Sequence, residues 1–309
     1  MNQLKFSDLG LADPIQLALK TRNHDTPTPI QQEAIPELLK GSDVLGIAQT
    51  GTGKTGAFAL PILHKLSKNQ PKDKRREPRA LILAPTRELA IQIGEEIAAY
   101  GQNLQLRHTV IFGGVKQNPQ VNALRRGIDI IVATPGRLLD LMSQGFIDLN
   151  GCAFLVLDEA DRMLDMGFVH DVRKIVSALP NKRQSLLFSA TMPKEIARLS
   201  GDMLNNPVRI EVTPQATPIE SITQNIYHVG AADKTKLLSS IMDDPSLSKV
   251  IVFTRTKHRA NRVADKLGKS GVDAEAIHGN KSQGARQRAL SRFRAGEARV
   301  LVATDIAAR

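Results

Sequence analysis

Val44-Leu45-Gly46-Ile47-Ala48-Gln49-Thr50-Gly51-Thr52-Gly53-Lys54-Thr55, followed by the helically spaced segment Gly56–Leu66, is the stretch on which the fold turns. An apolar run enters a glycine-rich loop, and a Lys-Thr pair opens the helix behind it. This is the strand, loop and helix order of a phosphate-binding P-loop, with Ala48 at a position where glycine is commoner. Glycines let backbone N–H groups turn inward onto phosphate oxygens, and the helix N-terminus favours negative charge. In this reading Lys54 reaches the β- and γ-phosphates and the Thr55 hydroxyl faces Mg2+. The same letters fit the G-x-G-x-x-G of a dinucleotide fold (Gly51, Gly53, Gly56). That fold calls for an acidic residue at the end of the next strand. Ala80–Leu83 runs instead into Ala84-Pro85, and the Lys-Thr pair would have no purpose.

Outward from this motif, short apolar runs recur: Asp43–Ile47, Ala80–Leu83, Thr109–Phe112, Ile128–Ala133, Phe154–Leu157 and Ser185–Phe188. Runs with so few polar interruptions are what strands buried on both faces look like. Between them lie segments of helical spacing, such as Glu88–Tyr100 and Val169–Leu179. The alternation predicts an α/β fold with a parallel sheet. It pauses at Asn205-Asn206-Pro207 and through the turn formers of 213–218, then restarts. Further strands are expected at Ile222–His228, Lys249–Thr254, Ala274–Ile277 and Arg299–Thr304, with helices around Lys234–Met242, His258–Ser270 and Ser282–Phe293. The division expected is a first domain at 1–208, a linker at 209–218 and a second, incomplete domain at 219–309. The charge-dense stretch Lys72–Arg79 reads as a solvated loop.

A net charge of +11 favours polyanionic partners, nucleic acid or an anionic surface. The single Cys152 excludes an internal disulfide and any multi-cysteine zinc site, and fits a reducing compartment and a buried thiol. No run approaches the roughly 18 apolar residues of a membrane span, so no membrane partner is expected and a cytoplasmic monomer is.

Asp158-Glu159-Ala160-Asp161 closes the strand Phe154–Leu157. An acid at the carboxyl end of a parallel strand points into the crevice where ligands bind. Asp158 is placed to hold Mg2+ largely through water, and Glu159 to orient or deprotonate an attacking water.

The succession AQTGTGKT, PTRELA, TPGR, DEAD and SAT resembles the DEAD-box RNA helicases, most closely the bacterial RhlE-type branch, from Phe6 to Arg309. The resemblance implies two RecA-like domains in tandem, ATP and Mg2+ as cofactors, and RNA as partner. It places Gln31 on the adenine edge, Phe6 against the ring, and Gln49, Thr50, Gly51, Thr52, Gly53 and Asp305 around the nucleotide. It implies that Asp161, Ser189 and Thr191 couple the nucleotide site to domain closure. It assigns RNA contact to Pro85, Thr86, Arg87, Gly113, Gly114, Thr134, Pro135, Gly136 and Arg137. In the second domain the matching positions are Arg255, Gly279, Gln283, Arg286 and Thr304. Asn23-His24 stands where the family shows Gly-Phe. Aromatic residues make up 4% of the chain, so backbone readout with little sequence preference is expected. An arginine finger is expected in an element beyond Arg309, which makes slow hydrolysis the expectation for these 309 residues. A DNA-directed helicase and a non-catalytic RNA clamp are the other readings; the Gln31 lead and the SAT triplet speak against the first.

Overall fold

The computed structural model describes residues 4–69, 77–212 and 223–304. The chain divides into two compact units, residues 1–219 and 220–309. In the first, β1 (Val44–Ile47), β2 (Ala80–Leu83), β3 (His108–Ile111), β4 (Ile130–Ala133), β5 (Phe154–Leu157), β6 (Gln184–Ser189) and β7 (Val208–Glu211) form one parallel sheet. Their order is β3-β4-β2-β5-β6-β1-β7. Side chains alternate across each strand. Val44, Ala80, Ile82, Val132 and Val156 therefore face one core, and Leu45, Leu81, Leu83, Ile131 and Leu155 the other. The first core is filled by α1 (Asp13–Thr21), α2 (Pro29–Lys40), α3 (Lys54–Lys68) and α4 (Arg87–Tyr100). The second is filled by α5 (Asn118–Arg125), α6 (Pro135–Ser143), α7 (Ala160–Asp165), α8 (Val169–Ser177) and α9 (Lys194–Met203). Apolar cover on both faces is the reason the strands read as unbroken hydrophobic runs.

The two edges of this sheet differ in chemistry. Where strands begin, buried aspartates tie neighbouring segments together. Asp43 accepts the N–H of Ser185 and of Asn205, each at 2.8 Å. Asp129, fully buried, accepts from the Arg79 guanidinium at 2.7 Å and from the Arg107 N–H at 2.8 Å. Arg79 is thus an anchored residue and not part of a solvated loop, because a buried carboxylate needs a charged partner; 70–76 lie outside the described residues. The thiol of Cys152 is buried and donates to the Pro78 carbonyl at 3.3 Å; burial, with Asp148 nearby, pushes its pKa up to about 12.

The expected boundary at 208 moves. β7 pairs with β1 in register from Val44↔Val208 to Ile47↔Glu211, so the first sheet continues through residues assigned to the linker. Only Ile210 of this edge strand is buried, and so the stretch carries no apolar run. Residues 213–218 lie outside the described residues.

In the second unit β8 (Val250–Thr254), β9 (Ala274–Ile277) and β10 (Val300–Thr304) form a parallel sheet in the order β8-β10-β9. α10 (Lys234–Met242) and α11 (Lys257–Lys269) cover one face and α12 (Gln283–Ala295) the other. The strand expected at Ile222–His228 does not appear among the described residues. Residues 223–230 carry no strand, and Ile226 and Tyr227 are 86% and 58% exposed, without the backbone ladder that makes a strand. Among the described residues no helix is long and apolar enough to cross a membrane.

Two outcomes follow from this packing. A Cβ on Gly46 of β1 would overlap the ring of buried Phe188, so Gly46→Ala is expected to cost about 1–3 kcal/mol, read as a lowered Tm. An unchanged Tm would show that the ring yields freely. His64 accepts the Ala12 N–H, just ahead of α1, at 3.0 Å. Burial first, then Lys68 and Lys65, hold its pKa below the usual value. The fold thus prefers the neutral ring, and that contribution is present above pH ~6.5 and lost as the pH falls. The Tm advantage of the wild type over His64→Gln is expected to narrow from about pH 8 to about pH 5; a constant gap would contradict it.

Candidate functional site

Most of the site residues expected in the first unit gather where the strands of its sheet end. β1, β6 and β5 are neighbours, and they lead into the loop 48–53, Ser189-Ala190-Thr191 and Asp158–Asp161. β2, β4 and β3 are neighbours too, and lead into Pro85-Thr86-Arg87, Thr134–Arg137 and Gly113-Gly114.

After β1 the chain turns through Gly51 and Gly53 at φ 87° and 90°, a region that side chains disfavour, and α3 starts at Lys54. Thr52 donates to the Gln49 carbonyl at 2.8 Å and closes the loop, and Thr55 lies in the first turn of α3. Lys54 is 6% exposed, donates to the Ala48 carbonyl at 3.1 Å and stands 3.8 Å from Asp158 Oδ1. Gln31, third residue of α2, accepts the Thr28 N–H at 2.9 Å and donates to the Gly53 carbonyl at 2.9 Å. A Cβ on Gly56 would lie 2.6 Å from the Gln31 amide nitrogen, so that glycine makes room for the amide. The amide keeps one N–H and one lone pair beyond these two bonds. Phe6, in a short 3-10 turn, is buried at the margin of the same cavity.

Asp158 follows β5 and is 2% exposed, and its Oδ1 has no hydrogen-bond partner. Burial raises its pKa to about 6, opposed by Lys54 and reinforced by Glu159 and Asp161. Glu159 is a left-handed non-glycine residue (φ 54°, ψ 54°), a conformation costing about 1–2 kcal/mol. Its carboxylate takes the Thr50 hydroxyl at 3.0 Å and Arg162 at 2.5 Å. Asp161 accepts both the N–H and the hydroxyl of Thr191 at 2.9 Å, and its own N–H donates to the Ser189 hydroxyl at 3.1 Å. The structure therefore brings Lys54, Asp158 and Glu159 together, and joins Asp161 to Ser189 and Thr191.

Phe6, Gln31, Thr50, Lys54, Asp158 and Glu159 line a cavity of about 690 Å³, within the ~300–1,000 Å³ of small-molecule sites. Sequence reasoning missed its far wall. Leu89, Gln92, Glu96 and Tyr100 line it from α4 at helical spacing, and Arg22 binds Glu96 at 2.9 Å while lying 5.1 Å over the Tyr100 ring. The spacing on α4 was the available signal; nothing in the letters pairs Arg22 or Arg162 with its partner. An unpartnered buried Asp158 oxygen 3.8 Å from a buried lysine fits a hydrated divalent cation beside a phosphate. Among the described residues no cluster of three His, Cys, Asp or Glu forms a self-sufficient metal site.

Along the neighbouring strands, the Thr86 hydroxyl caps α4 by accepting the Leu89 N–H at 3.2 Å. Arg87 lies over Gly114, where φ is 78° and a Cβ would overlap the guanidinium; Gly113 is 3.9 Å from it on the same measure. Arg137 donates to the Val115 carbonyl at 3.3 Å. Pro85, Thr134 and Pro135 are buried, and Gly114 and Gly136 exposed. In the second unit Arg255 and Gly279 are exposed, Gln283 and Thr304 are buried and Arg286 is half-buried; Asp305 lies outside the described residues.

Comparison with known proteins agrees with this geometry. The DEAD/DEAH box helicase model matches residues 28–199, and the helicase conserved C-terminal domain matches 233–309. The chain is 41% identical over 305 residues to the ATP-dependent RNA helicase DeaD of Escherichia coli K12, covering 98% of this chain and 48% of DeaD. It is 41% identical over 304 residues to the DEAD-box ATP-dependent RNA helicase CshA of Bacillus cereus, covering 98% and 57%. The chain thus spans about half the length of these curated relatives. Saccharomyces cerevisiae Dbp5, solved bound to RNA and ADP BeF3, matches with a TM-score of 0.85 at 31% identity, covering 99% of this chain and 77% of that one. A DEAD box protein from the hyperthermophile Methanococcus jannaschii matches with a TM-score of 0.64 at 36% identity, covering 97% and 80%. With the first family model taking in more than half of its residues, the chain belongs to the DEAD/DEAH box helicases.

Proposed function

We propose that this chain is the ATP-driven core of an RNA helicase, coupling nucleotide binding and hydrolysis to local separation of RNA strands. The observation that carries the reading is the 3.8 Å approach of buried Lys54 to an unpartnered Asp158 oxygen across one cavity. Lys54 takes the β- and γ-phosphates, the 51–53 backbone wraps them, and Thr55 with Asp158 holds Mg2+, mostly through water. Bound there, the metal would neutralise charge on the transferring phosphoryl group. Glu159 orients or deprotonates the attacking water, and Phe6 and Gln31 receive adenine. Asp161, Ser189 and Thr191 transmit the state of the site; Asp305 belongs to it by resemblance. Support for ATP over GTP is the free donor and acceptor left on the Gln31 amide.

Among the described lining residues, Lys54 is the cation at the phosphate loop, and Arg22 sits with α4. Phosphoryl transfer of this kind gains about 10³–10⁵ from a further cation on the transferring group, so slow basal turnover belongs to the proposal. RNA is proposed to lie along Arg87, Gly113, Gly114 and Thr134–Arg137, and along Arg255, Gly279 and Arg286, read by its backbone. Gln283 and Thr304 would shape that surface. The RhlE-like branch remains the finer assignment that the motif wording favours.

Glu159→Gln is expected to lower ATP turnover at least about a hundredfold while leaving nucleotide affinity within a few-fold. Equal turnover in the two proteins would leave only a binding clamp. RNA binding is expected to weaken steeply with salt, and Arg87→Gln to reduce the log–log slope by about 0.7, one phosphate contact. Stimulation of the ATPase by DNA as strongly as by RNA would redirect the assignment to a DNA helicase.

A further inference from the structure

The basic excess of the chain is concentrated in the second unit. Residues 220–309 hold sixteen Lys and Arg against nine Asp and Glu, whereas 1–219 hold twenty-six against twenty-two. Among the acids of this unit, Asp273, Glu275 and Glu297 surround Arg292 and Asp233 faces Lys236; Asp265, the one acid on α11, is exposed at the margin of the basic face, about 40° beyond Lys269. On α11 the buried side, Ala260, Ala264 and Leu267, packs on the sheet. Arg259, Arg262, Lys266 and Lys269 follow at i, i+3, i+7 and i+10, which at 100° per residue is an arc of about 80°. All four are exposed, and among the described residues none makes an ion pair. Like charges three and four residues apart on one helix face cost about 0.2–0.5 kcal/mol per pair. Folding alone does not ask for this arrangement.

Topology gives the stripe a direction. β8, β9 and β10 are parallel, so Thr254, Ile277 and Thr304 end on one edge. α11 starts two residues after exposed Arg255 on that edge, and as the connection from β8 to β9 it returns to the opposite one. The four cations thus lead away from Arg255 for about 15 Å, the length of four or so nucleotides at 3.4 Å each. α12, with Gln283 and Arg286, lies on the other face of the sheet.

We infer that the outer face of α11 is a second nucleic-acid track, on which Arg259, Arg262, Lys266 and Lys269 follow the phosphates of an RNA strand leaving the edge at Arg255. The inference rests on the RNA reading above. Charge complementarity selects the occupant: a regularly spaced polyanion fits cations spaced along a rod, and the helix presents no Phe, Tyr or Trp for base stacking.

The test is fluorescence anisotropy with labelled oligouridines of about 6 and about 30 nucleotides over a range of salt. The proteins are the wild type, the quadruple glutamine variant (R259Q, R262Q, K266Q, K269Q) and the charge-keeping R259K/R262K. Expected for the glutamine variant is a long-RNA log–log slope shallower by about 2–3, at roughly 0.7 per lost contact, with short-RNA affinity unchanged. R259K/R262K should behave as wild type, and circular dichroism should show all three folded. Equal slopes on long RNA, or equal losses on short and long, overturn the track. So does loss of binding to phosphatidylserine vesicles with long-RNA binding intact, which would make the stripe a membrane contact. A wild type that binds neither oligonucleotide overturns the RNA reading and the track with it.

Discussion

A lysine and an aspartate, both buried and 3.8 Å apart, are the constraint on which the first unit depends. At that distance they attract without a direct hydrogen bond, so neither fully offsets the cost of removing the other from water. The strain shows in Asp158, whose carboxyl is raised to about 6 by burial despite the lysine beside it. A pair left this unsatisfied is unfavourable for stability alone, and it persists because the surrounding architecture holds it. Lys54 is fixed by the start of α3 behind two left-handed glycines, Asp158 by the end of β5, and the two strands flank β6 in one parallel sheet. Around them, Gln31 braces the loop through the Gly53 carbonyl and Thr50 joins the loop to Glu159.

Second contacts turn the pair into a network. Gln31 holds both Thr28 and the Gly53 carbonyl, so the residue proposed to meet the base also braces the phosphate loop. Thr50 reaches across to Glu159, which in turn binds Arg162. Both Glu159 oxygens are therefore engaged, and the backbone beneath them sits in a left-handed conformation. On the far side of the motif Asp161 grips Thr191 twice. A shift of the loop after β1 is felt at Glu159 through one hydroxyl, and the DEAD segment is tied to the SAT segment through another.

Much of this was legible in the letters, for a physical reason. Strands covered on both faces must be apolar at every position, so Ala80–Leu83 and Phe154–Leu157 announce themselves and match the structure end to end. Glycines and a Lys-Thr pair at fixed offsets mark a loop whose backbone must approach a ligand. What stayed hidden lacked such a signature. β7 is an edge strand with one buried residue, so its membership depends on pairing with β1 and not on composition. The reverse error occurred at Ile222–His228, where the restart of the strand–helix alternation suggested a strand and residues 223–230 carry none. Arg79, Arg22 and Arg162 were invisible as partners because Asp129, Glu96 and Glu159 become neighbours only once the chain folds.

The strand order explains why the residues proposed for nucleotide and those proposed for RNA share one edge. β5 and β2 are adjacent at the middle of the sheet, so the segment after β5 and Pro85-Thr86-Arg87 leave from neighbouring strands. To one side of that seam lie the loops after β6 and β1; to the other, those after β4 and β3. Parallel strands make this possible, since every strand ends on the same edge. The opposite edge is occupied by Asp43 and Asp129, whose carboxylates bind backbone N–H groups and hold strand starts in register. Tied in register on one edge and chemically furnished on the other, the sheet sets the loop after β1 and Arg87 after β2 on the same edge, with β6 and β5 between them.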